Sequence, residues 1–335
     1  MRAYEIREFG IENLALVERQ MPVPGADEVL VKMYAASLNY RDVMIVEGTY
    51  NPRMRLPLVP FSDGAGEVTA VGDGITKWQI GDRVCSVAIP AWIDGEPTAQ
   101  KARSAIGAGR ADGVLREYAV FDQEALVACP DYLSFEEAAT LPCAAVTAWN
   151  SLVVSGNVQP GETVLTLGTG GVSVFAVQFA KLLGATVIAT SSSDEKLAKI
   201  RDLGADETIN YRDTENWDDA VLELTGGLGV DHVVEVGGTG TLTRSVKSVR
   251  VGGHIALIGA LDTSGGFNPI PIFMKGIRVQ GIFIGSRKMF EDMNAKISSS
   301  GMRPVIDREF DFDEAKEALM YMAASSHFGK IVVRY

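Results

Sequence analysis

One stretch of the chain, residues 162–189, constrains the fold more than any other, because a strand, a glycine turn, a helix and a second strand follow one another in it. Thr163 to Leu167 is short, apolar and rich in β-branched residues, which is typical of a strand buried on both faces of a parallel sheet. The turn Gly168-Thr169-Gly170-Gly171-Val172-Ser173 then opens a helix with apolar residues at helical spacing, and Gly184 ends it. Thr186 to Thr190 predicts the next strand.

The glycine turn indicates a nucleotide-binding site. Glycines between a buried strand and a helix let the backbone approach a diphosphate, whose charge meets free amide groups at the helix N-terminus. The Gly-x-Gly-x-x-Gly pattern is incomplete, because Ser173 stands where the third glycine would allow close packing of helix on strand. The flanking strands and helix nevertheless favour a dinucleotide-binding fold over a tight turn that binds nothing.

The residues that follow continue to alternate between strand and helix, which predicts a doubly wound α/β sheet. The predicted helices are Ser193 to Leu203, Trp217 to Thr225, Leu242 to Val249 and Phe290 to Ile297. The predicted strands are Glu207 to Asn210, Asp231 to Val236, His254 to Ile258, Val279 to Gly285 and the closing stretch Phe328 to Val333.

Residues 1–130 show little helical periodicity and predict a β-rich first domain. Val29 to Ala36 alternates in polarity, and Gly64 to Val71 has the composition of a glycine-bearing strand. Residues 88–113 form a long irregular insertion, of a length typical of binding loops or mobile flaps. A capping box, Ser134 with Glu137, starts a helical stretch that is broken at Pro142 and leads into the dinucleotide-binding segment.

The bulk properties of the chain indicate a soluble two-domain protein. Its 335 residues exceed one ordinary core, and a net charge of −12 without clustered Lys and Arg argues against a nucleic-acid partner. No apolar run of about 18 residues predicts a membrane span, and the N-terminus lacks the apolar core of a signal peptide. Cys85, Cys129 and Cys143 are widely spaced, so we expect no disulfide framework and a reducing, cytoplasmic location.

Several short motifs, taken in order, are typical of one enzyme superfamily. They are Ser37-Leu38-Asn39-Tyr40-Arg41-Asp42, Asp63-Gly64-Ala65-Gly66-Glu67-Val68, Gly81-Asp82-Arg83-Val84, Leu141-Pro142-Cys143 with Thr147, the glycine turn, Leu203-Gly204-Ala205, Gly252-Gly253-His254-Ile255 and Gly329-Lys330. In this order, over nearly the whole chain, they make the sequence resemble the medium-chain dehydrogenase/reductase superfamily. Within it, the chain is most similar to the zinc-independent quinone oxidoreductase and enoyl reductase branch.

The resemblance implies a domain arrangement and an assembly. A GroES-like catalytic domain would consist of residues 1–130 and 284–335, with a Rossmann dinucleotide-binding domain, residues 131–283, inserted into it and the active site in the cleft between them. The resemblance also implies a homodimer in which the strand Val279 to Gly285 pairs with its copy, because an open apolar sheet edge is prone to association. An edge covered by a helix is the alternative.

The resemblance also implies that the catalytic metal is absent. Where zinc alcohol dehydrogenases of the superfamily have a Cys, a His with a neighbouring Glu, and a later Cys, this sequence has Asn39, Ser62 with Asp63, and Cys143. One thiolate cannot hold zinc, which needs three protein ligands, and the insertion 88–113 contains no cysteine for a structural zinc lobe. We interpret Cys143 as a small buried hydrophobe near the nicotinamide. The three histidines, His232, His254 and His327, show no ligand spacing.

The sequence favours NADPH over NADH. NAD-specific folds carry a carboxylate at the end of the second strand, whereas this chain has Thr190-Ser191-Ser192-Ser193 there. The resemblance assigns contacts with the 2′-phosphate of NADPH to Lys196 and Tyr211, and the serine hydroxyls can donate to the same group. A solvated helix lysine and a surface tyrosine are the alternative interpretation, and the neighbouring acidic residues Asp194 and Glu195 leave it open.

The remaining site residues follow from family position. Thr147 and Val172 would pack on the nicotinamide, and Asn39 would hydrogen-bond the ribose or the substrate carbonyl. Tyr40 or Tyr50 would supply a proton directly or through water. Two pairs of alternatives stay open: Asp42 is catalytic or forms an internal ion pair with Arg41, and Arg287 reaches the diphosphate or is a surface arginine.

These residues predict an NADPH-dependent, zinc-independent reductase of quinones or α,β-unsaturated carbonyl compounds. Without a metal, the simplest hydride acceptor is a conjugated carbonyl, because its enolate product needs only hydrogen-bond donors and a proton. Alcohol or aldehyde oxidoreduction with the same cofactor is the second hypothesis. A non-catalytic NADPH-binding protein, similar to the zeta-crystallins, is the third.

Overall fold

The computed structural model describes residues 1–259 and 267–335, which divide into two compact units. Unit 1 consists of Met1–Val146 and Ile284–Tyr335, and unit 2 is Thr147–Phe283. The first stretch of unit 1 therefore ends at Val146, whereas the sequence analysis ends the first stretch of the catalytic domain at residue 130. The physical reason is the helix that starts after Ser134: the ring of its Phe135 stacks on Tyr34, in a unit 1 strand, at 4.6 Å between ring centres.

The first stretch of unit 1 is rich in β-strands, as the sequence predicts. Its strands are β1 (Arg2–Ile6), β2 (Leu14–Glu18), β3 (Glu28–Ser37), β4 (Asp63–Val71), β5 (Arg83–Ser86), β6 (Tyr118–Asp122) and β7 (Leu126–Ala128). Its helices are α1 (Tyr40–Val46), α2 (Ala99–Ala102) and α3 (Phe135–Ala139). The helix α2 lies inside the insertion that the sequence predicted to be irregular.

A helical stretch with wide turns follows α3. It runs through Leu141–Ala145, α4 (Val146–Trp149) and Asn150–Ser155. Pro142 lies in its first turn, where the missing proline amide leaves no hydrogen bond unmade. The sequence predicts a break in the helix at Pro142; in the structure the helix is interrupted two residues earlier, between Ala139 and Leu141.

Unit 2 alternates strand and helix in the order that the sequence predicts, except for one further helix before its last strand that the sequence analysis did not predict. Its strands are β8 (Thr163–Leu167), β9 (Thr186–Ser191), β10 (Glu207–Asn210), β11 (Val230–Glu235), β12 (Val249–Leu257) and β13 (Arg278–Gly281). Its further helices are α5 (Gly171–Leu182), α6 (Asp194–Asp202), α7 (Trp217–Leu224), α8 (Thr239–Ser248) and α9 (Ile270–Lys275). The last strand predicted for this unit runs from Val279 to Gly285, but β13 ends at Gly281.

The described strands of unit 2 form one parallel sheet with the order β10-β9-β8-β11-β12-β13. This is the order of a doubly wound dinucleotide-binding fold, in which β8 and β11 lie on either side of the point where the winding reverses. Leu165, Val233 and Ile255 on three neighbouring strands are fully buried and share one core cluster with residues of α7 and α8. Each such side chain contributes about 1.5–3 kcal/mol to stability.

The last stretch of the chain completes the sheet of unit 1. It contains α10 (Arg287–Ser300), β14 (Ile306–Asp311), α11 (Ala315–Ala323) and β15 (Lys330–Arg334). The strand order is β14-β15-β3-β4-β5-β7, with β6 also paired to β3. Because β15 pairs with β3 in antiparallel register, the C-terminal stretch belongs to the same domain as the N-terminal one. Among the described residues, no helix is long and apolar enough to cross a membrane.

Candidate functional site

The glycine turn of unit 2 leaves backbone amides at the start of α5 free for a ligand. Gly168 adopts φ +69°, a conformation that side chains disfavour, and a Cβ placed there would meet no atom of the described chain within 4 Å. Gly170 precedes α5 in extended conformation and supplies no side-chain cap. The first turn of α5 contains no acidic residue. These features fit a diphosphate, which the helix N-terminus would attract and the amides would bind.

Ser173, which replaces the third glycine, is accommodated by a hydrogen bond. It is buried, and its hydroxyl donates to the carbonyl oxygen of Leu167 at 2.7 Å. The serine thus ties the first turn of α5 to the end of β8. Serine at the third glycine position therefore still allows α5 to pack on β8, and its hydrogen bond joins the two.

Four residues predicted to bind the 2′-phosphate lie around the end of β9. Ser191 ends the strand, Ser192 follows it, and Lys196 lies in the first turn of α6. The amide of Tyr211 donates to the carbonyl oxygen of Ser191 at 3.0 Å, which holds this tyrosine beside the strand end. Tyr211 is 42% exposed. The structure thus brings these hydroxyls and the lysine to one edge of unit 2, and their role stays a prediction.

The neighbouring carboxylates are engaged in other contacts. Asp194 accepts a hydrogen bond from the side-chain amide of Asn210 at 2.8 Å, and Glu195 pairs with Lys199 at 2.8 Å on the surface of α6. NAD-specific folds have a ribose-binding carboxylate at the end of the second strand. Neither Asp194 nor Glu195 takes that position, so these two acids do not by themselves favour NADH.

Glu235 is a buried carboxylate of unit 2 that the sequence analysis did not single out. It ends β11, is fully buried, and accepts hydrogen bonds from the amides of Gly237 (2.7 Å) and Gly238 (3.2 Å) and from the hydroxyl of Thr241 (2.6 Å). The hydroxyl of Ser245 donates to its second oxygen. One carboxylate thus organises the whole turn after β11. A glutamate that ends an apolar strand just before a Gly-Gly pair was the available signal.

Two further unit 2 predictions concern the nicotinamide. Thr147 lies in α4 and is 2% exposed, and Val172 is the second residue of α5 and half-buried. Both positions agree with packing residues, and their contact with a nicotinamide stays a prediction.

In unit 1, the loop before α1 is held by a cap. Asn39 is the N-cap of α1, and its backbone amide donates to Asp42 Oδ2 at 2.8 Å. Asp42 is fully buried, and this burial raises the pKa of its carboxyl to about 6. Tyr40 and Tyr50, the predicted proton donors, are 40% and 38% exposed. The geometry gives Asp42 a structural role, while the tyrosines are accessible.

Two arginines make contacts that bear on their predicted roles. Arg41 makes no hydrogen bond to Asp42 within the described residues, and one of its guanidinium nitrogens lies 3.5 Å from the Ile106 carbonyl oxygen. The side chain of Arg287 is only 14% exposed and pairs with Glu124 and, at 3.3 Å, with Glu291. Arg287 is thus not a fully exposed surface arginine, and its contact with a diphosphate stays a prediction.

Asp63 and Cys143 form a second polar contact in unit 1. Asp63 is fully buried and accepts hydrogen bonds from the Ser62 hydroxyl at 2.7 Å and from the Cys143 amide at 3.0 Å. Burial, with a smaller contribution from Asp63, raises the pKa of the Cys143 thiol to about 12. The thiol therefore stays protonated at neutral pH, which agrees with its interpretation as a small hydrophobe.

Lys330 joins this region from the first position of β15. Its side chain is 2% exposed, and its Nζ donates to the carbonyl oxygen of Leu38 at 2.5 Å and to Asn39 Oδ1 at 2.8 Å. Burial lowers the pKa of this lysine. The sequence marked Lys330 only as part of a short motif and gave it no role.

The donor set of unit 1 does not fit a catalytic zinc ion. Asn39 offers an amide whose oxygen is bound to Lys330, the carboxylate of Asp63 already has two donors, and Cys143 supplies the only thiol among these three residues. Zinc in such sites requires thiolate, imidazole or free carboxylate ligands. The described ranges, 1–259 and 267–335, contain no group of three or more His, Cys, Asp and Glu side chains that could hold a metal ion.

Two histidines that looked unrelated in the sequence are in contact in unit 2. His232 and His254 face each other on β11 and β12, with their Nδ1 atoms 3.4 Å apart. His232 Nε2 pairs with Glu162 at 2.9 Å, and His254 Nε2 contacts the Ser155 hydroxyl at 3.0 Å. The contact is a buried structural pair.

Comparisons with known proteins agree with this architecture. Residues 25–131 match the family model for the alcohol dehydrogenase GroES-like domain, and residues 171–299 match the model described as zinc-binding dehydrogenase. A zinc-type alcohol dehydrogenase-like protein of Schizosaccharomyces pombe is 46% identical over 97% of this chain and 96% of its own length.

Solved structures add two similar chains. A putative alcohol dehydrogenase from Sinorhizobium meliloti has a TM-score of 0.94 and 40% identity, covering 100% of this chain and 98% of that one. Escherichia coli quinone oxidoreductase, solved in complex with NADPH, has a TM-score of 0.86 and 25% identity, with both chains covered completely.

Proposed function

Because the chain belongs to the medium-chain dehydrogenase/reductase superfamily, we propose that it is a zinc-independent, NADPH-dependent reductase of quinones or α,β-unsaturated carbonyl compounds. The superfamily makes it a pyridine-nucleotide-dependent oxidoreductase. The choice of acceptor and of nucleotide is the proposed part. The observation that carries the proposal is the donor set at Asn39, Asp63 and Cys143, in which an amide, an occupied carboxylate and a single cysteine stand in place of a full set of metal ligands.

The nucleotide would be held by unit 2, and when bound it supplies the hydride. The free amides that follow Gly170, at the N-terminus of α5, would bind the diphosphate. The cluster at the end of β9 would bind the 2′-phosphate; its members are Ser191, Ser192, Lys196 and Tyr211. Hydroxyls and a lysine favour a phosphate there, whereas a carboxylate would repel it.

The acceptor would be activated by hydrogen bonds instead of a metal. Hydride addition to the β-carbon of an enone moves negative charge onto the carbonyl oxygen, where a neutral donor such as Asn39 Nδ2 can stabilise it. The resulting enolate then needs one proton, which Tyr40 or Tyr50 would supply directly or through water. Asp42 Oδ2 accepts the capping hydrogen bond from the Asn39 amide, and a catalytic role of this carboxyl stays a prediction.

The names of several relatives favour a second candidate, an alcohol dehydrogenase. The relative that is 46% identical to this chain is named a zinc-type alcohol dehydrogenase-like protein. A catalytic zinc in this chain would need ligands that the residues around Asn39 and Cys143 do not supply.

The two candidates are separated by one experiment. The purified protein is analysed for metal and then tested with enones, quinones and primary and secondary alcohols, with and without a chelator. We expect NADPH consumption with a conjugated acceptor, at a rate that the chelator does not change. Zinc-dependent alcohol oxidation without enone or quinone reduction would reject the proposal, and tight NADPH binding without any turnover would favour a non-catalytic role.

We also propose a homodimer that forms through the edge of the unit 2 sheet. The edge strand β13 exposes Arg278 and Gln280, and Phe283, which follows it, is 37% exposed. Light scattering should give twice the chain mass of 35.9 kDa. Phe283→Asp should shift the protein toward monomer, whereas Val251→Asp, at another exposed position of the same sheet, should not. A monomeric wild-type protein would contradict the proposal.

A further inference from the structure

The side-chain amide of Asn39 is held in one orientation by a buried lysine. The Nζ atom of Lys330 lies 2.8 Å from Asn39 Oδ1 and 2.5 Å from the carbonyl oxygen of Leu38. An ammonium group can donate hydrogen bonds but cannot accept them, so the Asn39 atom that faces it must be the amide oxygen. The other terminal atom of the side-chain amide, the nitrogen Nδ2, therefore points away from Lys330.

This nitrogen is a buried donor without an acceptor. Within the described residues, Asn39 Nδ2 has almost no exposed surface and no hydrogen-bond partner. An unsatisfied buried donor destabilises a folded protein, so such a group is expected where a ligand completes the bond. Rotation of the amide would not remove the problem, because Nδ2 would then face the ammonium group of Lys330.

The backbone around Asn39 is fixed by the same strand that carries Lys330. The amide of Leu38 and the hydroxyl of Ser37 donate to the carbonyl oxygen of Ile331, at 3.0 Å and 2.8 Å. On the other side, Asp42 accepts from the Asn39 amide. Main chain and side-chain oxygen are thus both held, and only Nδ2 remains available to a ligand.

We propose that Lys330 is a positioning residue, which orients the amide of Asn39 so that Nδ2 donates to an oxygen atom of a bound ligand. The oxygen belongs either to the carbonyl group of the acceptor or to a ribose hydroxyl of the nucleotide. Only the identification of the acceptor rests on the proposed function. The orientation itself follows from the contacts of Lys330.

A double-mutant cycle tests this role. Asn39→Ala removes the donor, and Asn39→Asp removes it while leaving an oxygen for Lys330; each should lower kcat/KM for an enone by about 100-fold, as for other single oxyanion donors. Lys330→Met should lower it by about 10-fold, because the amide is no longer oriented, but should have no further effect in the Asn39→Ala background. Partial recovery is expected with Lys330→Gln, which keeps a donor for Oδ1. Losses that multiply in the double variant would overturn the proposal.

The same variants show whether the oxygen that accepts from Asn39 Nδ2 belongs to the acceptor or to the nucleotide. Loss of kcat with an unchanged Kd for NADPH identifies the acceptor carbonyl, whereas a parallel rise in the NADPH Kd identifies the ribose. Either result supports the positioning role.

A measurement without turnover separates this inference from the proposed function. In protein labelled with ¹⁵N-asparagine, the side-chain signals of Asn39 are those that disappear in Asn39→Asp. In Lys330→Met we expect these signals to shift or double, because the amide can adopt two orientations. Unchanged signals would refute the positioning role even if the enone is reduced, and changed signals would support it even if neither enone nor quinone is a substrate.

Discussion

The buried histidine pair of unit 2 should make the protein sensitive to mild acid. Burial, with smaller contributions from the nearby charges of Arg278 and His232, lowers the pKa of His254 from 6.5 to about 3. The unfolded chain therefore binds a proton below pH 6.5 that the folded chain excludes. Stability is thus present above pH 6.5 and is lost as the pH falls from 6.5 toward 3.

The magnitude follows from linkage. Between pH 7 and pH 5 the unfolded imidazole passes from mostly neutral to almost fully protonated, while folded His254 stays neutral. With an unfolded pKa of 6.5, this difference costs about 2 kcal/mol of unfolding free energy. His254→Gln, which cannot be protonated, should lack this loss.

The assay is urea unfolding of the wild-type and variant proteins at pH 7, 6 and 5. Hydrogen–deuterium exchange, measured in peptides that span β11 and β12, reports the stability of unit 2 separately. Asp42 in unit 1 works in the opposite direction, because its raised pKa of about 6 stabilises the folded chain as the pH falls through 6. Subtracting variant from wild type cancels this contribution. Equal losses in wild type and His254→Gln would refute the reasoning, whereas Ser155→Ala, which keeps both imidazoles, should retain the wild-type loss.

Three further substitutions test the nucleotide site of unit 2. Lys196→Ala should raise the Kd for NADPH by about 10-fold and leave that for NADH unchanged, as measured by nucleotide fluorescence, because a charge-assisted bond to the 2′-phosphate is lost. Gly168→Ala should lower unfolding stability by about 1–2 kcal/mol, because alanine is strained at φ +69°. The control is Gly25→Ala, at an exposed position without a positive φ where the nearest atoms belong to the flexible Glu28 side chain. Ser173→Ala should cost about 1 kcal/mol in urea unfolding, because the bond to the end of β8 is lost.

Each of these predictions has a clear contrary result. An equal rise in both nucleotide Kd values would remove Lys196 from the 2′-phosphate site. Equal stability of the two glycine variants would mean that the backbone of the turn is unstrained. A Ser173→Ala variant as stable as wild type would mean that the hydroxyl contributes nothing to the packing of α5.

Much of unit 2 could be predicted because its signals are local. The strand Glu207–Asn210 was placed at its observed bounds, since a short buried strand between two helices leaves little freedom. The edge strand was predicted too long, because Ile282 and Ile284 are as apolar as strand residues although they lie beyond the end of β13. The pattern of apolar residues predicts which residues are buried, but a buried residue need not have strand hydrogen bonds.

The contacts of Lys330 and of Asp63 were not predicted, because they join distant stretches of the chain. Lys330 and Asn39 are separated by 291 positions, and Asp63 and Cys143 by 80. No local pattern links such residues. The ion pair between Arg41 and Asp42, one of the two alternatives left open, could not be decided from their adjacency in the sequence, because Asp42 also accepts the capping hydrogen bond from the Asn39 amide.

The position of β15 has a consequence for how the chain is made. This strand is synthesised after all the described strands of the inserted unit, yet it lies inside the unit 1 sheet, between β14 and β3. Until β15 is made, residues 35–37 at the end of β3 therefore lack their partner strand on one side, although β6 already pairs with residues 28–32. An open strand edge invites pairing with other chains. A nascent or prematurely terminated chain ending near residue 283 is accordingly the form of this protein that most needs protection by chaperones.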